Sequence, residues 1–162
     1  MTDVLTTEQR RRCMARIRRK DTDPERHVRS MIHRMGFRYR LNVTSLPGKP
    51  DIVLPRLRKV VLVHGCFWHM HRCKYGRVKP ATNAGFWKAK REENRRRDAR
   101  VRRALRIAGW DVLIVWECEL RDGDKLRKRI HAFLSVTPRA MSSQQSHGVL
   151  RRVRRGFAGV HS

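Results

Sequence analysis

Apolar residues recur at three- and four-residue steps in two long segments of the chain, which is the spacing of one face of an α-helix. The first predicted helix has Asp23 as its N-cap, Pro24 in its first turn and Gly36 at its end. Its apolar face consists of Val28, Met31, Ile32 and Met35. Glu25 lies on that same face, so we weigh two roles for this acid: complementing the helix N-terminus or contributing to a site.

The second helical segment is long and basic and runs from about Phe86 to Ile107. Its core-facing stripe consists of Trp87, Arg91, Asn94, Asp98, Val101, Leu105 and Ala108. The stripe is apolar only toward its C-terminal end, so Asp98 is an acid on the core side of an arginine-coated helix. Such an acid requires a partner, and a buried salt bridge is the simplest one. A third helix is predicted from about Asp124 to Leu134.

Short apolar runs between these helices predict four strands. They are Phe37–Leu41, Ile52–Leu54, Lys59–Val63 and Asp111–Trp116. A turn from Pro55 to Arg58 lets the second and third strands pair as a hairpin. The order of helix, three strands, helix, strand and helix predicts an α/β fold, a small mixed β-sheet flanked by helices. Asp51 stands at the mouth of the second strand, an unusual place for a carboxylate.

The charge of the chain predicts a partner and two basic segments outside the folded domain. The 162 residues include 40 lysines and arginines against 14 acids, a net charge of +26, which calls for a polyanion such as nucleic acid. No signal peptide or apolar run of about 18 residues is visible, so we expect an intracellular protein without a membrane partner. We predict a basic arm over residues 1–20, one folded domain over residues 21–136, and a basic, disordered tail over residues 137–162.

The ten residues from His64 to Cys73 concentrate the candidate chemistry, with three of the eight histidines and two of the four cysteines. Cysteines in an intracellular chain of this size favour metal binding over disulfides. A Cys₃His set, which is a closed structural zinc site, can be formed by Cys66, His71, Cys73 and Cys118. An alternative set replaces His71 with His69. We prefer His71, because that choice leaves His64 and His69 for a second site.

The second site would combine His64 and His69 with Asp51 and with one or both of Glu25 and Asp98. Carboxylate oxygens suit Mg²⁺, which keeps water and phosphate oxygens as its other ligands. One histidine can take a proton from the attacking water while a carboxylate behind it fixes its tautomer. The other histidine can protonate a leaving oxygen, so the set is compatible with metal-assisted hydrolysis of a phosphodiester.

Several ordered motifs resemble the very-short-patch mismatch repair endonucleases, bacterial enzymes that nick DNA beside a T·G mismatch. The resemblance covers the chain from about Arg10 to Leu134, and it implies a fold similar to the type II restriction endonucleases (PD-(D/E)xK-related), with residues 21–136 as the nuclease domain. It also implies a cytoplasmic, nucleoid-associated monomer that acts on double-stranded DNA, with other repair proteins as candidates for recruitment. The matching motifs are Met14–Ile17, Lys20–Glu25, Leu46–Asp51, His64–Cys73, Phe86–Trp87, Asn94–Asp98 and Gly109–Cys118.

The resemblance also implies where catalytic Mg²⁺ would bind. In that family the ion is bound at the position matching Asp51 and by the backbone carbonyl at the position matching Val63. Glu25 matches an acid near the active site. Val63 departs from the threonine of the best-known members, which removes a hydroxyl group but leaves the main-chain carbonyl available.

The histidines divide between two jobs under the same resemblance. The histidine matching His69 activates water with the support of the aspartate matching Asp98, and the one matching His64 assists the leaving group. The zinc ligands of the family match Cys66, His71, Cys73 and Cys118, the same set that the residue types favour.

Aromatic residues near the histidines are implied to act on the DNA bases. In the family, residues that wedge between base pairs beside the mismatch match Phe67, Trp68 and Trp87, with Met14 entering from the opposite groove. Lys90 and Asn94 match residues that read the mismatched bases. Inserting an apolar wedge unstacks bases at the lowest free-energy cost where pairing is already weak, so it favours a mismatch.

Two other functions remain open on sequence grounds. A non-enzymatic zinc protein could bind nucleic acid through charge and aromatic stacking, but it gives no reason for Asp51 and Asp98 on core-facing positions. An endonuclease of the same fold could instead respond to a trigger other than a T·G mismatch.

Overall fold

The computed structural model describes residues 21–136. The predicted arm and tail, and with them Cys13 and Met14, lie outside this range. The elements in chain order are α1 (Asp23–Arg34), β1 (Arg40–Leu41), β2 (Ile52–Leu54), a 3₁₀ turn (Pro55–Leu57), β3 (Lys59–His64), α2 (Ala84–Ile107), β4 (Asp111–Trp116), a second 3₁₀ turn (Glu117–Arg121) and α3 (Gly123–Ser135). Among these residues, no helix is both long enough and apolar enough to cross a membrane.

The four strands form one mixed sheet in the order β1-β2-β3-β4. The β1–β2 and β2–β3 pairs are antiparallel, so the predicted hairpin is confirmed. β3 and β4 are parallel, with Lys59 opposite Asp111 and His64 opposite Trp116. Because both parallel strands end at the same edge, the segments that follow His64 and Trp116 start side by side.

Helices cover both faces of the sheet, as the side-chain alternation of β2 and β3 requires. On one face α1 and α3 bury Val28, Ile32, Leu126, Ile130 and Leu134 against Ile52, Leu54, Val61, Leu113 and Val115. On the other face Leu105 of α2, together with Trp110, packs against Val53 and Val60. Each fully buried aliphatic side chain contributes roughly 2 kcal/mol of transfer free energy. These two layers therefore stabilise the sheet, including the edge where β3 and β4 end.

The structure corrects two details of the sequence prediction. The predicted strand Phe37–Leu41 is reduced to Arg40–Leu41, because Phe37 packs against the core of α1 and α3 before the chain reaches β2. The N-cap of α1 is Thr22 rather than Asp23, which is the first helical residue. Other predicted boundaries agree within three residues, and Gly36 adopts a φ of 86° just after α1, a conformation that favours glycine.

A buried lysine fastens the end of α3 to the sheet. Lys59 at the start of β3 is 1% exposed, and its Nζ donates to the main-chain carbonyls of Phe133 at 2.5 Å and Leu134 at 3.4 Å, and to that of Val136. A cation at the C-terminal carbonyls of a helix is favoured by the helix dipole. This contact therefore stabilises the layer opposite α2.

Candidate active site and metal centre

Four potential metal ligands meet where β3 and β4 end. The donor atoms of Cys66, His71, Cys73 and Cys118 all lie within 4.8 Å of one another, and we call this group the cysteine cluster. His71 Nδ1 lies 3.7 Å from the sulfur of Cys66 and 3.4 Å from that of Cys118. Tetrahedral Zn²⁺ with ordinary bond lengths would hold a nitrogen and a sulfur about 3.6 Å apart. The spacing of these donors therefore fits a four-coordinate metal ion.

Burial works against ionised thiols in this cluster. It raises the pKa of the Cys66 thiol to about 12, and it raises the pKa of Cys118 as well. Burial acts in the same sense on Cys73, but hydrogen bonds from the Gly76 backbone, His71 and the neighbouring thiols lower its pKa to about 7. A cation is needed to hold all three sulfurs as thiolates, so binding of a metal releases protons.

A second group, the histidine cluster, consists of His64, His69 and Asp98. Nδ1 of His69, in the loop after β3, is hydrogen-bonded to a carboxylate oxygen of Asp98 on α2. The two residues are 29 positions apart in the chain. The rings of His64 and His69 are stacked, with centroids 4.0 Å apart and planes 12° apart. An ionised carboxylate can only accept, so the proton lies on Nδ1 and leaves Nε2 of His69 as an acceptor.

The pKa values of Asp98 and His64, the two neighbours of His69, are both lowered, but by different causes. Burial pushes the pKa of Asp98 upward, but the hydrogen bond from His69 and the nearby positive charge outweigh it and hold that pKa below its ordinary value. Burial lowers the pKa of His64 to about 4, and the charge of His69 acts in the same direction. His64 is 6% exposed, and its Nδ1 is buried without a hydrogen-bond partner in the described structure. Buried polar atoms without a hydrogen-bond partner are uncommon in folded proteins.

Asp51 lies next to this cluster, just before β2. Its Oδ2 accepts a hydrogen bond from the Val63 amide at 2.8 Å. Burial raises the pKa of Asp51 to about 6, and the charge of Glu25 adds to the increase, whereas the Val63 amide and Arg29 oppose it. Asp51 is not one of the three residues whose donor atoms lie within 4.8 Å of each other. Because burial and the charge of Glu25 disfavour ionisation of Asp51, a bound cation would favour it.

Glu25 is buried, and both of its carboxylate oxygens have partners inside the protein. Oε1 accepts from the Thr22 hydroxyl at 2.9 Å, and Oε2 accepts from the Asp21 amide at 3.0 Å and from Arg29 at 2.8 Å. Glu25 thus lies in the first turn of α1, and its charge also acts on Asp51. Sequence reasoning missed Arg29, although its position four residues after a buried acid could have signalled it.

The predicted wedge residues belong to one aromatic cluster, which comprises Phe67, Trp68, Phe86 and Trp87. Ring centroids are 5.2 Å apart for Phe67 and Trp68, 6.0 Å for Phe67 and Trp87, and 5.7 Å for Trp68 and Trp87, all edge to face. Phe86 is 62% exposed, so the cluster reaches the surface. The cluster therefore combines mutual packing with access to a large partner.

The two predicted base readers have partners within the protein. Asn94 donates to the main-chain carbonyl of Trp68 at 3.3 Å. Lys90 pairs with Glu93 at 2.8 Å, and both side chains are exposed. An exposed pair of this kind contributes about 0–1 kcal/mol, so Lys90 can leave Glu93 at little cost.

Trp116 joins the two ligand clusters, a role that sequence reasoning did not anticipate. Its ring stacks on His71 of the cysteine cluster at 4.2 Å and meets His64 of the histidine cluster edge to face at 5.3 Å. The parallel register that sets Trp116 opposite His64 produces this position. Only the predicted end of β4 hinted at it.

Comparisons with known proteins agree on one family. The family model described as DNA mismatch endonuclease Vsr matches residues 2–75. The chain is 48% identical over 134 residues to the type II nicking enzyme V.XorIIP of Xanthomonas oryzae pv. oryzae, covering 83% of this chain and 98% of the relative. It is 43% identical over 126 residues to DNA mismatch endonuclease Vsr of Escherichia coli, covering 78% and 80%.

Two further matches are another type II nicking enzyme and a solved structure. The type II nicking enzyme V.NmeAIP of Neisseria meningitidis is 43% identical over 131 residues, covering 81% of this chain and 93% of the relative. Among solved structures, the catalytic domain of the homing endonuclease I-Bth0305I matches with a TM-score of 0.47 at 22% identity, covering 70% of this chain and 94% of that one. On the strength of its sequence relatives, the chain belongs to the Vsr family of DNA mismatch endonucleases.

Proposed function

We propose that this protein is a Mg²⁺-dependent endonuclease that nicks the thymine-containing strand beside T·G mismatches left by deaminated 5-methylcytosine, and so initiates very-short-patch repair. It acts as a monomer on double-stranded DNA at the bacterial nucleoid. The observation that carries the chemistry is the hydrogen-bonded pair of His69 and Asp98, with the ring of His64 stacked on His69. Family membership and the net charge of +26 support a DNA substrate.

His69 is the proposed general base. Because Asp98 holds its Nδ1–H, the lone pair on Nε2 is the group that can take a proton from the attacking water. The carboxylate of Asp98 then stabilises the imidazolium that forms, as in other carboxylate–histidine pairs. A base positioned in this way accelerates hydrolysis by about 10²- to 10⁴-fold.

Asp51 and the backbone carbonyl of Val63 are the proposed protein ligands of Mg²⁺. Fit to a divalent cation is supported by the raised pKa of Asp51, which burial and the neighbouring Glu25 produce and which a bound cation would reverse. Glu25 acts through its charge, because its oxygens are already hydrogen-bonded. When bound, Mg²⁺ supplies positive charge that offsets the charge developing on the phosphate.

His64 is the proposed partner of the leaving oxygen. In the free protein it is neutral, since burial lowers its pKa to about 4. A phosphodiester beside the ring brings negative charge and so favours the protonated form, which can then donate to the leaving oxygen. Stacking on His69 holds the two rings parallel, which keeps base and acid in a fixed relation to each other.

Zn²⁺ is the proposed ion of the cysteine cluster, held by Cys66, His71, Cys73 and Cys118. Four protein ligands leave no position for substrate, so this ion would be structural. It would fix the loop between β3 and α2, and with it the residues that follow Cys66. The chemistry would be confined to the histidine cluster.

Phe67, Trp68 and Trp87 are the proposed wedge, and Met14 in the arm enters from the other groove. Their edge-to-face packing supports insertion as one preformed body rather than as separate side chains. Lys90 and Asn94 are the proposed readers of the mismatched bases. Asn94 also holds the Trp68 carbonyl, so reading and wedging would be mechanically linked.

Nicking of short duplexes that differ at one base pair tests this function. With Mg²⁺ present, the protein should cut the thymine strand of a T·G duplex and leave the matched C·G and T·A duplexes intact. His69→Gln should lower the rate of the cut by about 10²- to 10⁴-fold while retaining DNA binding. Absence of a nick in every flanking context would rule out the function.

A second candidate is a strand-nicking enzyme with a different trigger, which the names of V.XorIIP and V.NmeAIP as type II nicking enzymes favour. The same panel separates the two functions. Equal cutting of matched and mismatched duplexes at one sequence would select the second candidate.

A further inference from the structure

Arg91 of α2 is a buried cation with an unusual set of partners. It is 7% exposed, and among residues 21–136 it forms no ion pair with an acid. Its Nε donates to the carbonyl of Phe67 at 2.7 Å, one terminal nitrogen donates to that of Val78 at 3.0 Å, and the other donates to that of Gly76. The guanidinium also lies over the Phe67 ring, 4.5 Å from its centroid.

Burying a guanidinium is unfavourable unless its charge and donors are satisfied. Here three main-chain carbonyls and one aromatic face supply that compensation. All of these partners belong to the loop between β3 and α2: Phe67 directly follows Cys66, and Gly76 and Val78 follow Cys73. Arg91 therefore closes this loop from the α2 side, independently of the metal ligands.

The path of the loop requires this close approach. Gly76 is buried, and a side chain there would collide with the main-chain carbonyl of His71. The chain thus turns back on itself between His71 and Gly76, and the Gly76 carbonyl is aimed at Arg91. Closure by Arg91 depends on a glycine at this point.

A metal in the cysteine cluster would fix the sulfur of Cys66 but not the ring of the next residue. Arg91 contacts Phe67 through both its carbonyl and its ring. One turn further along α2, Asn94 holds the carbonyl of Trp68. The helix α2 therefore contacts both consecutive aromatic residues of the proposed wedge, Phe67 through Arg91 and Trp68 through Asn94.

We propose that Arg91 is a positioning residue that holds Phe67 ready for insertion beside the mismatch. The proposal rests on the wedge function proposed above. A side chain that is already ordered loses little conformational entropy on insertion, whereas a loose one must be ordered when DNA binds. Arg91 therefore supports base unstacking, and through it nicking, without touching DNA or the reacting phosphate.

Arg91→Met is the main test, with Lys59→Met as its matched control. Both changes remove a buried cation from main-chain carbonyls, but Lys59 holds the end of α3 in the opposite layer. Each variant is prepared with metal bound, and its metal content and melting temperature are measured. Unstacking is followed by the fluorescence of 2-aminopurine beside a T·G pair, at saturating protein without added Mg²⁺, and nicking is followed in single turnovers with Mg²⁺.

Arg91→Met should give a smaller fluorescence rise than the unchanged protein and a nicking rate about tenfold lower, with metal content unchanged. Lys59→Met should lower the melting temperature but keep both the fluorescence rise and the nicking rate. Unchanged unstacking and nicking in folded Arg91→Met would overturn the proposal. Equal losses in Lys59→Met would also overturn it, because the effect would then be one of general stability.

A double-mutant cycle with Phe67→Leu tests whether Arg91 acts through Phe67. If it does, Arg91→Met should lower nicking little further in the Phe67→Leu background, whereas additive losses would contradict the proposal. Arg91→Lys, which keeps the charge but cannot span three carbonyls, replaces Arg91→Met if that variant does not fold. If the unchanged protein shows neither unstacking nor nicking on T·G, the proposed function itself has failed. If it shows both and Arg91→Met matches it, only the role of Arg91 has failed.

Discussion

The cysteine cluster and the histidine cluster lie side by side where β3 and β4 end, and the donor atoms of each group lie within 4.8 Å of one another, but the two groups differ in how many donors they offer. The cysteine cluster turns four donors toward one point within 4.8 Å, so a single ion can satisfy all of them. The histidine cluster has an acceptor nitrogen on His69, an unpartnered Nδ1 on His64 and a nearby buried acid in Asp51. Four protein donors are enough to close a metal site, whereas the three residues of the histidine cluster leave Nε2 of His69 as an acceptor for another group.

Two histidines separated by one residue represent this contrast. His69 pairs with Asp98, and His71 turns its Nδ1 toward the sulfurs of Cys66 and Cys118. The hydrogen bond from the His71 amide to the Cys66 carbonyl, at 3.0 Å, closes the turn that sends the two rings to different clusters. Identical substitutions at the two positions should therefore have different consequences.

His71→Gln should have the largest effect on stability. It removes one of four metal ligands, and structural zinc sites contribute on the order of 10 kcal/mol of binding free energy in small domains. We expect loss of bound metal, a large fall in melting temperature, and loss of DNA binding and nicking together. Metal content by atomic emission and melting by circular dichroism check this. A stable, metal-free variant that still nicks would contradict the structural role.

His69→Gln should affect rate alone. Removing the proposed base should lower single-turnover nicking by about 10²- to 10⁴-fold, with metal content and melting temperature close to those of the unchanged protein. His71→Gln is the control, since it makes the same chemical change two positions away. Retention of nicking by His69→Gln would remove His69 from the mechanism.

Trp116→Leu should have a smaller effect that touches both clusters. The substitution removes the ring that stacks on His71 and meets His64 edge to face, contacts worth about 1 kcal/mol each. We expect a roughly five- to tenfold decrease in the rate of nicking and a faster loss of bound metal to a chelator. Trp116→Phe should recover most of both properties. If Trp116→Leu changed only one of the two, the clusters would be independent.

The smallest expected effect is a pH dependence at Asp51. Its folded pKa of about 6 lies above the ordinary 3.8, so protonated Asp51 favours the folded state, and this stability is lost as pH rises through 6. Without added Mg²⁺, the protein should lose about 1 kcal/mol relative to Asp51→Asn between about pH 5 and about pH 7.5. Urea denaturation at both pH values measures the difference. Added Mg²⁺ should reduce it, because the cation binds the ionised form.

Residue types and spacing predicted much of the sheet and both clusters. Apolar runs located β2, β3 and β4, and cysteine and histidine spacing selected the four residues that the structure brings within 4.8 Å. The pairing of His69 with Asp98 came from the family resemblance, because no local pattern links residues 29 positions apart.

Contacts to main-chain atoms were the part that sequence could not supply. Arg91 lay on the predicted core-facing stripe, but its partners are carbonyls whose directions depend on the course of the loop. Trp116 was predicted in a buried strand, yet its contacts with His64 and His71 depend on the parallel register of β3 and β4. The predicted β1 was too long for a related reason, since alternation in Phe37–Leu41 does not reveal that Phe37 packs against the core of α1 and α3.

The central claim is that two neighbouring clusters divide structure from chemistry in a mismatch-nicking enzyme. Single-turnover nicking of one T·G duplex by the unchanged protein and by His69→Gln, both with the cysteine cluster fully loaded with metal, tests it most directly. We expect a nick on the thymine strand by the unchanged protein, a rate at least about 10²-fold lower for His69→Gln, and equal melting temperatures for the two. Equal nicking by both proteins, or no nick by the unchanged protein, would contradict it.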